Sequence, residues 1–181
     1  MKKIFLLLLM AAATLASAQC YTKFKGIEIK GNMEDFDVQL QKQGYKLQEK
    51  GLFCYVYEGK FMGADVAVLV QYTLKSRTAY SVSVTFDDKD TRELVNQRYY
   101  GLQELLIGKY GKPAEKDVPY EITKGEYTSD ICTRWKDDCG GITLKNTHLT
   151  VSKYESLKVV IITYWSKEGY DLYEAELSED L

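Results

Sequence analysis

One order of elements runs through this chain twice. An amphipathic helix closed by glycine is followed by two shorter strands, a glycine-bearing turn and two longer strands. In the first pass Asn32 suits an N-cap, Glu34 and Asp35 fill the first turn, and Met33, Phe36 and Leu40 share one face before Gly44. In the second, Asp90 and Glu93 have capping-box spacing, Val95, Tyr99, Leu102, Leu106 and Tyr110 recur at helical spacing, and Gly111 and Pro113 stop the helix.

The strand signals are as regular. YKLQE and LFCYVYE flank Lys50-Gly51, which suits a hairpin, and ADVAVLVQYT and AYSVSVTF come next. In the last of these Tyr80, Val82, Val84 and Phe86 alternate with Ser81, Ser83 and Thr85, so one face is buried against helices and the other is wet. VPYEITKGE, DICTRWKDD, GGITLKNTHLTVS and SLKVVIITYW form the second set. GADVAVLV corresponds in pattern to GGITLKNT, and AYSVSVTF to LKVVIITYW, which points to internal duplication. The expected fold class is α+β: two tandem helix-plus-antiparallel-meander repeats, residues 19–87 and 88–167, sharing one curved antiparallel sheet with the helices on one face. Residues 168–181 are expected to form an acidic tail or short helix.

The N-terminus bears on location. Lys2 and Lys3 precede an apolar run from Ile4, and Ala16-Ser17-Ala18 has the small-x-small pattern of a signal peptidase site. The run is shorter than the roughly 20 apolar residues a bilayer span needs. Residues 1–18 therefore read as a cleavable signal peptide, and the protein as periplasmic or secreted. Cys20 offers an alternative as a lipid-anchor cysteine, but Gln19 before it is larger than the small residue such sites carry. Losing the two lysines moves the formal charge from −2 to −4, which argues against nucleic acid as a partner.

All four cysteines, Cys20, Cys54, Cys132 and Cys139, lie beyond that cut. An even number in an exported chain favours disulfides, and four cysteines allow three connectivities. Proximity in sequence favours Cys20–Cys54 and Cys132–Cys139, the second stapling a bend between strands. With no C-x-x-C and one histidine, His148, a zinc site has little support, and neither a metal nor a cofactor is expected.

The helix-ending glycines Gly44 and Gly111 and the turn glycines Gly63, Gly140 and Gly141 carry a resemblance in pattern. From Phe24 to about Trp165 the chain resembles the tandem helix and β-meander fold of the β-lactamase-inhibitor proteins, and small exported proteins of Gram-negative bacteria expected to share it. The resemblance implies a disulfide within each half, which suits the pairing above. No inhibitor motif transfers residue by residue.

Catalytic equipment is sparse. His148 lies in a polar stretch of a strand, where a solvent-facing or lightly hydrogen-bonded role is expected. Asp87, Asp88 and Asp90 read as helix-capping groups, and Asp137 and Asp138 as turn residues. The aromatic content is high, with 15 tyrosines and two tryptophans. If the helices cover one sheet face, the other is available for binding, and Tyr and Trp are enriched at interfaces. The expectation is a non-catalytic binding protein presenting an aromatic sheet face to a protein or peptide partner at the envelope. Tyr55, Tyr57, Trp135 and Tyr164 are the candidate anchors. The alternatives are a small periplasmic hydrolase using carboxylates and an envelope-assembly or surface lipoprotein.

Overall fold

The computed structural model describes residues 22–86, 91–119, 130–152 and 155–179. Residues 1–18, Cys20, Asp87, Asp88 and Asp90 lie outside them. The chain opens with a small hairpin, β1 (Lys23–Phe24) and β2 (Ile27–Glu28). Its turn residues Lys25 and Gly26 both have positive φ, 52° and 84°, as a type I′ hairpin requires.

Next come α1 (Met33–Lys42), β3 (Lys46–Lys50), β4 (Cys54–Phe61), β5 (Ala64–Tyr72) and β6 (Ala79–Phe86). The second half brings α2 (Arg92–Tyr110), β7 (Glu115–Pro119), β8 (Ile131–Lys136), β9 (Gly140–Ser152) and β10 (Glu155–Ser166), and α3 (Lys167–Ser178) follows. The protein is α+β, with β3 to β10 in one antiparallel sheet of order β3-β4-β5-β6-β10-β9-β8-β7. The two helix-then-four-strand halves therefore meet edge to edge at β6 and β10.

Local signals explain the helix ends. The Asn32 side chain accepts the Glu34 backbone N–H at 2.8 Å, and Gly44 leaves α1 at φ 88°. α2 starts behind Thr91, whose side chain makes no capping hydrogen bond, and Gly111 ends it at φ 80°.

Register sorts the strand residues into two sets. Tyr57, Val68, Val84, Ile162, Leu144 and Thr133 stand side by side across six strands, and Tyr55, Val70, Val82, Tyr164, Ile142 and Trp135 form the next row. Every one of these side chains is buried. Met33, Phe36 and Leu40 of α1 and Val95, Tyr99, Leu102 and Leu106 of α2 join the same core, with Phe24 of the hairpin stacked on Phe61, ring centroids 5.7 Å apart. The intervening rows, such as Val56, Leu69, Ser83, Thr163, Thr143 and Arg134, face away from these helices.

α1 and α2 both cover the core side, and α3, formed by the C-terminal segment, packs on the outer side against β6, β9 and β10. Two expectations need correcting. Tyr80 does not follow Val82, Val84 and Phe86 into the core. Gln71 pairs with Ser81 but Tyr72 pairs with Ala79, so Tyr80 is the extra residue of a bulge and turns outward to α3. Leu52 and Phe53 belong to the exposed β3–β4 turn and not to the strand.

Candidate functional site: an aromatic cleft on the outer face

Helix α3 starts where β10 ends, with the Ser166 side chain accepting the Gly169 N–H at 3.3 Å. Gly169 is what lets the helix come close. A Cβ there would stand 2.7 Å from Tyr80 Cβ and 3.0 Å from Tyr80 Cα. Tyr173, one helical turn further on, stacks on the Tyr80 ring at 4.8 Å, and Tyr170 meets the same ring edge-on at 6.3 Å. At its far end, the Glu176 carboxylate accepts the backbone N–H groups of Lys75 and Ser76 at 2.8 and 3.0 Å. The helix is thus held to the β5–β6 turn as well as to the sheet.

Between α3 and the strands lies a half-open cleft of about 560 Å³. Tyr80, Tyr170, Tyr173 and Trp165 supply its aromatic walls, and Gln71, Ser81 and Thr163 its polar floor. Cross-strand pairing fixes that floor: Gln71 faces Ser81, Ser81 faces Trp165, and Trp165 faces Gly141. The indole approaches Gly141 so closely that a Cβ there would be 2.8 Å from Trp165 Nε1. Among the described residues no charged side chain lines the cleft. Burial, with Tyr173 and Tyr170 beside it, pushes the Tyr80 phenol up to about 12, so it stays neutral and can donate a hydrogen bond near neutral pH.

The four candidate anchors are elsewhere. Tyr55, Tyr57, Trp135 and Tyr164 are 5, 0, 1 and 4 % exposed, in the rows beneath α1 and α2. The polar ends of three of them are used internally. Tyr57 donates to Asp37 at 3.0 Å, the Arg77 guanidinium donates to Tyr55 Oη at 2.8 Å, and the Trp135 indole donates to the Gly111 carbonyl at 2.9 Å. As surface anchors they are set aside, because their alternation places them on the covered face.

The cysteine pairing is corrected as well. Cys54 and Cys132 are free thiols, and no disulfide joins two described residues. Cys139 is disulfide-bonded, and Cys20 is outside the described residues. The geometry explains why 132 and 139 are not joined. Cys132 pairs with Lys145, four residues before the Lys136–Gly141 pair that precedes the bend. Four strand residues span about 13 Å, whereas disulfide Cα atoms lie within about 7 Å. The bend is held by Asp137 instead, whose side chain accepts the N–H groups of Cys139 and Gly140 at 2.8 and 2.9 Å.

His148 is held by a buried carboxylate, its Nδ1 2.8 Å from Asp130. The same carboxylate accepts the Thr147 hydroxyl at 2.6 Å, so Asp130 orients a half-exposed ring. Among the described residues no group of three or more His, Cys, Asp or Glu side chains is placed to hold a metal ion. No described helix is long and apolar enough to cross a membrane.

Sequence reasoning passed over Trp165, Tyr170, Tyr173 and Tyr80. Trp165 adjoins Tyr164 and takes the opposite face by alternation, so fixing one would have fixed the other. Tyr170 and Tyr173 are three apart on a helix, the spacing that puts two rings on one side. No family model, curated protein or solved structure matches the chain.

Proposed function

We propose that this is a non-catalytic binding protein of the cell envelope, exported by its N-terminal segment, which takes an uncharged group of its partner into the cleft beneath α3. One observation carries the reading: a cleft of about 560 Å³ with four aromatic walls and, among the described residues, no charged lining side chain, on the sheet face away from α1 and α2. That volume lies in the range of small-ligand pockets, about 300–1,000 Å³. Tyr and Trp present large contact area and are the usual anchors of recognition. The buried rows on the other side of the sheet give this face a rigid backing.

The order of elements also supports an origin by duplication. β5 and β9, and β6 and β10, hold equivalent places in the two halves of the sheet. These are the pairs whose sequence patterns correspond.

The carboxylate-hydrolase reading has less support. A second cleft, of about 500 Å³, does hold Asp138, Glu168 and Asp171, but all three are exposed and Lys30 and Lys167 stand among them. That is a solvated ionic surface. A desolvated acid pair, the arrangement that tunes a catalytic carboxylate, is not what lines it.

The test is comparative capture from envelope extract with the wild type, Trp165→Ala, Tyr173→Ala and, as a control, Tyr100→Ala, an exposed aromatic on α2. A partner retained by the wild type and by the control but lost from both cleft variants is the expected result. Retention by all four proteins would contradict the proposal.

A further inference from the structure

The polar groups of the cleft carry more information than its rings. The Gln71 carboxamide, the Ser81 hydroxyl, the Trp165 indole N–H and the phenol groups of Tyr80, Tyr170 and Tyr173 all belong to lining residues. No hydrogen bond joins these side chains to another described residue, and none of their polar atoms is a buried orphan, so they meet solvent in the half-open cleft. Several buried hydroxyls elsewhere among the described residues are paired. Tyr57 reaches Asp37, Tyr99 reaches Thr133 and Asp117, and Thr147 reaches Asp130. The cleft therefore sets solvent-facing neutral donors and acceptors beside stacked rings.

Those two features together select a ligand chemistry. A purely apolar side chain would cover the rings but strip water from the amide and hydroxyl groups without replacing it. A charged group would enter a site with no opposite charge to meet it. A neutral ring with an apolar C–H face and a hydroxylated edge satisfies both demands. We infer that the cleft binds a neutral pyranose unit of a glycan. Its C–H face lies on the Trp165 and Tyr173 rings, and its hydroxyls exchange hydrogen bonds with Gln71, Ser81 and the tyrosine phenols. This rests on the cleft being the binding site, and it names the group that enters it.

Calorimetric titration of the full chain separates the two ideas. The probes are neutral hexasaccharides of β-1,4-glucose, β-1,4-N-acetylglucosamine and α-1,4-glucose, an acidic hexagalacturonate, and a capped apolar tetrapeptide. The expected result is saturable binding of at least one neutral hexasaccharide. Trp165→Ala should weaken it by about tenfold or more, and Gln71→Leu, which keeps bulk but removes the amide, by about three- to tenfold. Gln71→Leu also serves if Trp165→Ala fails to fold. Binding of the tetrapeptide alone, sensitive to Trp165→Ala, would overturn the glycan inference and leave the cleft reading standing. So would a preference for the acidic sugar. Absence of binding by every probe would overturn the glycan inference. Binding of any probe that is indifferent to both substitutions would overturn both readings.

Discussion

Tyr80 and Tyr173 lie almost flat against each other, with ring centroids 4.8 Å apart and planes 23° from parallel. The contact exists because the bulge in β6 turns Tyr80 out of the core row, and because Gly169 lets α3 descend onto it. Of the α3 residues only Gly169 is buried, so the helix roofs the cleft while contributing little to the core.

Gly169→Ala should therefore act locally. Its methyl group would meet Tyr80 at 2.7 Å, which forces helix and strand apart. The expected outcome is faster proteolysis within residues 167–178 and a weaker near-ultraviolet tyrosine signal, with the thermal midpoint of the sheet nearly unchanged. A large fall in that midpoint would show that α3 supports the whole fold.

The thiols should react in a fixed order. Cys54 is half-buried on the outer face, whereas Cys132 is buried and its thiol is pushed up by burial. Alkylation of the native, unreduced protein followed by peptide mapping should label Cys54 first, and Cys132 only once the chain unfolds. Recovery of a Cys132–Cys139 or Cys20–Cys54 peptide would contradict the arrangement.

Alkaline titration gives a signed test. Burial raises the Tyr80 phenol from 10.0 to about 12, and it raises Tyr57, Tyr99 and Tyr164 further. The folded state holds these protons more tightly than the unfolded chain does. The stability they contribute is complete below about pH 10 and is lost as pH rises through 12 and beyond. Absorbance at phenolate wavelengths should show exposed tyrosines ionising first, and a cooperative step at the onset of unfolding. Smooth ionisation of all tyrosines near pH 10 with the fold intact would contradict the burial.

The carboxylate of Asp37 gathers Tyr57, Gln41 and Lys50 at 3.0, 2.7 and 3.3 Å beneath α1. Asp37→Ala leaves the Tyr57 hydroxyl buried without a partner, at a cost of about 1–3 kcal/mol. Tyr57→Phe removes both the hydroxyl and its need, and should cost less. Denaturant unfolding of the two single variants and the double variant should give a coupling of about 1 kcal/mol; strict additivity would show that the contact carries no energy.

Much of the fold was legible in side-chain periodicity. The helix faces, the terminating glycines and the strands β3 to β6 and β8 to β10 came from spacing, whereas β7 runs over Glu115–Pro119 and most of the expected VPYEITKGE lies outside the described residues. The face assignment was harder, because Val159 to Ile162 are apolar on both sides. Such a run marks a strand covered twice, and β10 is indeed covered by α2 on one side and α3 on the other. Tyr80 was misplaced because a bulge depends on the partner strand and leaves no trace in the alternation of its own. The anchors were misplaced for a related reason: tyrosines in strands read as interface or as core until a neighbouring row decides. The cysteine pairing failed because distance along the chain ignores strand extension.

The most direct test uses the two tryptophans. The Trp135 indole N–H is buried and bonded to the Gly111 carbonyl, whereas Trp165 lines the half-open cleft with no hydrogen bond from its indole N–H to a described residue, so nitrogen-edited NMR should give one slowly and one rapidly exchanging indole signal. On titration with the neutral hexasaccharides and the apolar tetrapeptide, the account predicts that the rapidly exchanging Trp165 signal moves to saturation with a bound ligand while the Trp135 signal holds still. A ligand that binds and shifts Trp135 alone, or shifts neither, would contradict it.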